Sequence, residues 1–251
     1  MGMKGVILAG GNGTRLMPLT KAVNKHLLPV GGKPMLQHCV EKMVEAKVGE
    51  IMVVTGGEHL GGIAEFLGSG KDFGCGITYR VQEAAGGIAQ ALSLAEGFVR
   101  SGESMCVLLG DNIFQSSMVP LAGTYAKQLC NGAMVVLKQV PDPERFGVAT
   151  IGIIGRGDKT EPGIVEIVEK PKNPKSSYAV TGIYFYDSRV FDIIRMCKPS
   201  ARGEMEITDV NNLYIQARQM GHVVMEGWWT DAGTHESYRK ANELVLGVRK
   251  E

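Results

Sequence analysis

The chain has 251 residues, 44% of them hydrophobic, and 27 basic against 26 acidic side chains, for a formal net charge of +1. That size and apolar share predict one substantial core in a single domain, and the balanced, scattered charges exclude a nucleic-acid footprint or an acidic tail. Five cysteines without C-x-x-C spacing, no histidine at ligand spacing from them, and no signal-peptide or membrane-length apolar run predict a reduced, cytoplasmic protein with neither a zinc site nor a membrane partner.

In chain order, residues 6–9 read as a buried strand that opens directly onto Gly10-Gly11-Asn12-Gly13-Thr14-Arg15. A glycine turn after such a strand lets backbone N–H groups approach a phosphate, and Arg15 adds the counter-charge. A Walker A loop would need Gly-Lys-Ser/Thr, and a dinucleotide fingerprint would need a third glycine where Leu16 stands, so neither applies. Met35, Leu36, Cys39, Val40, Met43 and Val44 recur at helical spacing, predicting a helix with Pro34 in its first turn. Strands at 51–55, 77–81 and 106–109 alternate with helical segments, one of them from about 88 to 99. This is the α/β pattern of a parallel sheet covered by helices, whose strand ends face a ligand. Asp111 stands one glycine beyond the third of these strands, a sensible position for a metal carboxylate.

Beyond Pro120 the pattern is mixed, with strands predicted at 133–140, 148–151, 164–168 and 180–186. Residues 155–159 read as a solvated hairpin tip without function, and the prolines at 171 and 174 as a loop. A last helix spans about 235–248. Thr234 is its better-placed cap, which leaves Asp231 free for other work. The two tryptophans at 228 and 229 read as packing residues, with Trp229 close enough to Asp231 to shape a metal pocket. No histidine has a nucleophile and carboxylate beside it, so a hydrolytic triad is unsupported.

The run Gly10 to Leu16, followed by Asn24-Lys25-His26-Leu27-Leu28-Pro29-Val30, resembles the opening motif of the sugar-phosphate nucleotidylyltransferases. Further blocks resemble that family in its own order: Val81-Gln82, Gly87–Ala91, Leu109–Phe114, Asp142–Val148, Glu169-Lys170-Pro171, Tyr178–Tyr184, Pro199–Glu204 and Glu206–Asp209. The resemblance implies a Rossmann-like fold with a mixed, mostly parallel sheet. It also implies a nucleotide-binding half over about 1–130 and a sugar-phosphate half over about 131–251. The implied substrates are dTTP and glucose 1-phosphate, with Mg2+ as cofactor and a homo-oligomer, dimer or tetramer, as the assembly. Longer relatives continue through a further helical segment, which leads to an expectation of weak or altered feedback by dTDP-rhamnose-like end products.

Nucleotidyl transfer is an in-line attack by an acceptor phosphate oxygen on the α-phosphorus of a triphosphate. It needs no protein nucleophile, only cations that bring two anions together and stabilise the leaving group. By resemblance, the catalytic residues are Arg15, Lys25, Asp111 and Lys170, with Lys21 the competitor of Lys25. Leu8, Ala9, Gly10, Gly11, Gly13, Arg15, Gln82, Gly87, Asp111 and Asn112 would bind the nucleotide. Gln82 offers a donor and an acceptor to the imide edge of a pyrimidine, and Asn112 either bonds the nucleotide or turns the chain. Phe146, Gly147, Glu169, Lys170, Val180, Tyr184 and Arg202 would surround the sugar phosphate. Phe146 stands where many relatives carry tyrosine, and Arg202 either neutralises phosphate or pairs with Glu204 or Glu206. Asp111 and Asp231 would hold the metal. A different base or hexose, a catalytically silent sugar-nucleotide sensor and a dinucleotide oxidoreductase are the alternatives.

Overall fold

The computed structural model describes residues 2–128, 132–156 and 159–248. Strand β1 (Lys4–Ala9) leads through the glycine loop and a short hairpin, β2 (Pro29–Val30) and β3 (Lys33–Pro34), into helix α1 (Met35–Glu45). Then come β4 (Glu50–Gly56), α2 (Leu60–Leu67), β5 (Gly76–Gln82), α3 (Ile88–Ser93), β6 (Ser104–Leu109), β7 (Asn112–Phe114) and α4 (Met118–Gln128). The remainder runs β8 (Ala133–Gln139), β9 (Gly147–Arg156), β10 (Lys159–Glu169), β11 (Tyr178–Asp187), α5 (Val190–Met196), α6 (Ile207–Gln216), β12 (Met220–Val224), β13 (Trp229–Asp231) and α7 (His235–Leu246).

One mixed sheet crosses both halves of the chain in the order β10-β9-β11-β6-β1-β4-β5, with β8 also on β11 and β12 on β8. The four strands β6, β1, β4 and β5 are parallel, whereas β11 runs antiparallel to β6, β8 and β9. Parallel strands must be buried on both faces, and β1 shows how its sequence meets that demand. Val6 and Leu8 enter one hydrophobic cluster and Ile7 and Ala9 the other. Helix α1 covers the second cluster with Leu36, Cys39, Val40 and Met43, all buried at the predicted spacing. Pro34 is its N-cap rather than a residue of its first turn.

The helix expected to reach residue 99 stops at Ser93. Gly97 takes φ +86° and Glu96 bridges Val99, so the chain turns. Ala95 and Val99 nevertheless stay in the core, which is why the apolar spacing read as helix. The predicted hairpin tip is only partly described: its flanking strands pair as far as Arg156 and Lys159, and residues 157 and 158 lie outside the described residues.

A third, smaller cluster forms under α7, where Leu16, Leu28 and Val30 of the glycine-loop region pack with Ile113, Ala232 and Ala241. Thr234 caps α7 in a reciprocal box with Ser237. Three polar contacts then fasten the helix to the opening motif: Tyr238 Oη to Pro29 O at 2.7 Å, Gly31 N to Asn242 Oδ1 at 3.0 Å, and His235 Nε2 to Met17 O at 2.7 Å. The last helix of the chain thereby fixes the loop that follows its first strand. No helix among the described residues is long and apolar enough to cross a membrane.

Candidate active site

A cavity of about 340 Å³ opens where the carboxyl ends of β1, β5 and β6 meet the antiparallel strands. From the parallel side its lining includes Leu8, Gly10, Gly11, Arg15, Lys25, Gln82 and Gly87; from the antiparallel side it includes Phe146, Gly147, Glu169, Lys170, Val180 and Tyr184. Asp111, Asn112 and Asp231 line it as well. Lys25 is present and Lys21 is not. Gly87 has φ +95°, and a side chain there would meet the backbone of Met205 at 2.5 Å. Only glycine fits this corner of the wall.

Two residues separated by 120 positions come together through a small ribbon. Strands β7 and β13 pair antiparallel with Asp231 opposite Asn112, and Ala232 N donates to Asp111 O at 2.8 Å. The convergence is sharpest around Gly233. A methyl group on that glycine would lie 3.3 Å from Arg15 Nη2, 3.4 Å from Asp111 Oδ2 and 3.6 Å from Asp231 Oδ2. One guanidinium and two carboxylates therefore surround a single point.

The charges in this cluster are strongly coupled. Burial would push the Asp111 carboxyl up, but the Lys25 ammonium, 2.6 Å from Oδ2, more than offsets this and holds it well below the usual carboxylate range. Asn112 Nδ2 adds a hydrogen bond to Asp111 Oδ1 at 3.1 Å. Asp231 goes the other way: burial and the Asp111 charge push it up to about 6, against the opposing pull of Arg145 and Arg15. Two adjoining carboxylates, one of them pushed up by burial and by the other's charge, are a suitable donor set for a hard divalent cation, which takes oxygen ligands and completes its shell with phosphates and water.

Three sets of candidate residues are placed differently from the rest. Asn112 does not offer its carboxamide oxygen to a ligand, because that oxygen accepts from Gly182 N at 3.1 Å and from Trp229 Nε1 at 2.7 Å. Its amide nitrogen orients Asp111, so the residue supports the site from below. Ala9 and Gly13 are absent from the lining: Ala9 faces the core on the far side of β1, and Gly13 turns the chain in a left-handed conformation with its carbonyl bonded to Thr20. Arg202 lies off the lining too, and its guanidinium is held by Glu206 at 2.8 Å, with Glu169 at 3.6 Å. Of the two readings open for Arg202, pairing is the one observed. Glu206 is the partner, with Glu204 farther off at 3.9 Å.

Other lining residues carried no assignment. Arg145 donates to Asp142 at 2.7 Å and to Asp231 at 3.2 Å, and its guanidinium lies over the Phe146 ring. The signal for it was a cation next to an aromatic after an Asp-Pro turn. Thr208 bonds Glu169 Oε2 at 2.7 Å and so fixes that carboxylate. His26 is buried beside Lys25, with Nδ1 2.9 Å from Asn24 Oδ1, and burial lowers it to about 3, so it is neutral near pH 7. Trp229, read as a packing residue, packs edge-on against Phe146 at 5.1 Å and lines the cavity near Asp231.

The profile of the nucleotidyl transferase family matches residues 4–247. A glucose-1-phosphate thymidylyltransferase of Neisseria meningitidis is 42% identical over 249 residues, covering 98% of this chain and 84% of the relative. Among solved structures, a Bacillus anthracis protein provisionally assigned as a glucose-1-phosphate thymidylyltransferase, crystallised with sucrose, superposes with a TM-score of 0.89. It shares 54% identity and covers 100% of this chain and 98% of its own. A UDP-glucose pyrophosphorylase bound to UDP-glucose superposes at 0.85 with 26% identity, covering 99% and 100%.

Proposed function

The chain belongs to the nucleotidyl transferase family, as a sugar-1-phosphate nucleotidyltransferase, and on that premise we propose that it transfers a thymidylyl group from dTTP to α-D-glucose 1-phosphate. The observation that carries this reading is the meeting of Arg15, Asp111 and Asp231 around Gly233, in a cavity that also contains Gln82 and Lys170. An oxygen of the sugar phosphate attacks the α-phosphorus, the bond to the bridging oxygen of the β-phosphate breaks, and pyrophosphate leaves. The acceptor is already an anion, so no protein base is required.

Arg15 has no ion pair or hydrogen bond to protein among the described residues, which leaves its guanidinium available for the charge that builds on the leaving group. Lys25, paired with Asp111 at 2.6 Å, would meet the same phosphates. Asp111 and Asp231 would hold Mg2+, which when bound would polarise the α-phosphate and neutralise its charge. Lys170 takes the sugar phosphate, and Glu169, held by Thr208, accepts from sugar hydroxyls. Gln82 and Gly87 meet the base. Thymine and uracil differ by one methyl, worth about 1–3 kcal/mol in an apolar pocket, so slower use of UTP is expected.

Pyrophosphate release should be measured with dTTP, UTP, CTP and GTP against several hexose 1-phosphates, with and without EDTA. The expected result is a maximum for dTTP with glucose 1-phosphate, abolished by EDTA. A maximum for a purine triphosphate would overturn the reading.

A further inference from the structure

We infer that Gln90, which does not line the cavity, sets base selection together with the Gly87 carbonyl, by fixing which end of the Gln82 amide faces the base. The inference rests on the thymidylyl reading above and extends it to a positioning residue.

An amide side chain at a base pocket is ambiguous, because rotation by half a turn exchanges its donor for its acceptor. The surroundings of Gln82 remove the ambiguity. Its Nε2 lies 2.6 Å from Gln90 Oε1 and 3.4 Å from Gly87 O. The Gly87 carbonyl can only accept, so the group turned toward it must be the amide NH2, and Gln90 must present its oxygen to the same NH2. Gln82 Oε1 then lies against Gly10 on the cavity wall, 2.3 Å from where a side chain on that glycine would begin. Any residue larger than glycine at position 10 would fill the place of that oxygen.

Gln82 is 9% exposed and has little room to rearrange. Gln90 is held in turn by α3 and by its fit against Gly86, where an added methyl would meet the Gln90 side chain at 3.0 Å. The cavity therefore presents a fixed acceptor beside the carboxyl end of β1. Thymine and uracil carry an N3–H donor that this acceptor matches. Cytosine carries a lone pair at N3 and meets it acceptor to acceptor. Accommodating cytosine would require turning the Gln82 amide, which would set its oxygen against Gly87 O and, unless the Gln90 amide turned with it, against Gln90 Oε1 as well. A buried acceptor without a donor is the costlier side of hydrogen bonding.

The test compares kcat/KM for dTTP and dCTP in the wild type, Gln90→Leu and Gln90→Glu, with melting temperatures alongside. Gln90→Leu removes the acceptor that holds Gln82 and should lower the dTTP-to-dCTP ratio about tenfold, mainly through KM for dCTP, with kcat for dTTP retained. Gln90→Glu keeps an acceptor toward Gln82 Nε2 and should preserve the wild-type ratio. Equal losses on both nucleotides, with the ratio unchanged in Gln90→Leu, would overturn the inference and reduce Gln90 to a packing residue. A wild type that does not prefer dTTP over dCTP would instead overturn the thymidylyl reading itself, so the two failures are distinct.

Discussion

The two sides of the cavity are prepared for a ligand in different ways. On the parallel side, the wall is glycine backbone at 10, 11 and 87 and an amide held in one orientation, with Arg15 as a cation that no protein acid pairs among the described residues. On the antiparallel side, the polar groups are charged and already paired with one another. Arg145 holds Asp142 and Asp231, and Lys170 lies 3.4 Å from Glu169. The first side is ready as it stands, while the second must exchange partners when an anion arrives. The Lys170–Glu169 pair, 50% and 28% exposed, is of the kind worth only about 0–1 kcal/mol, so exchanging it is inexpensive. The Lys25–Asp111 pair belongs to neither scheme: its side chains are 12% and 14% exposed, and it sits where the two sides join.

The strongest challenge to this contrast is Arg15→Ala. As the cation of the ready side, Arg15 should act on developing charge, and its loss should lower turnover about 10²–10³-fold with little change in melting temperature. Near-normal turnover by a stable variant would remove Arg15 from the chemistry.

Asp231, at the junction, should show a trade between stability and activity. Its folded carboxyl titrates near 6, above its unfolded value of 3.8, so the folded state resists its ionisation. The resulting penalty is absent below about pH 4, grows as pH rises toward 6 and is complete above that, amounting to at most about 3 kcal/mol. Asp231→Asn should therefore raise the melting temperature at pH 7.5 and leave it unchanged at pH 4, while lowering turnover. Thermal scans at the two pH values decide this, and an equal effect at both would refute the coupling of the two carboxylates.

The smallest effect is expected on the exchangeable side. Lys170→Ala should raise KM for glucose 1-phosphate about tenfold with kcat largely kept. A loss confined to kcat would place Lys170 on the reacting phosphate in the transition state and blur the distinction between the two sides.

The parts of the fold legible in the sequence were those written in local pattern. The doubly buried strand 6–9, the stripe from Met35 to Met43 and the cap at Thr234 each declare themselves over a few residues. Segments whose apolar spacing serves a turn were misread, as at Ala95 and Val99, where packing continues after the helix has ended. The helices α2, α5 and α6, of 8, 7 and 10 residues, offer only about two or three turns from which to read a period. In the site, isolated charges at strand ends were visible, and Arg15, Lys25, Asp111 and Asp231 do enter one cavity. The allegiances between side chains were not visible. Nothing local in the sequence says that Arg202 spends its charge on Glu206, that Arg145 reaches Asp231, or that the Asn112 oxygen is already taken. Those depend on contacts across 70 positions or more, or on which of several acids a flexible side chain selects.

Asn112 has a mechanical consequence as well. It is a residue of the β7–β13 ribbon, yet its oxygen is bonded to Gly182 at the place where the pairing of β11 shifts register, so one carboxamide ties the ribbon to the main sheet. Asp111 adjoins one strand of that ribbon and Asp231 ends the other. Asp111 is also held from the main sheet, by Lys25 at 2.6 Å and through the adjoining Gly110 N–Leu8 O bond at 2.9 Å, whereas Asp231 depends on the ribbon and on Arg145. A local opening of the ribbon should therefore release Asp231 first and leave Asp111 in place, so that the acidic pair is lost through its more weakly anchored member.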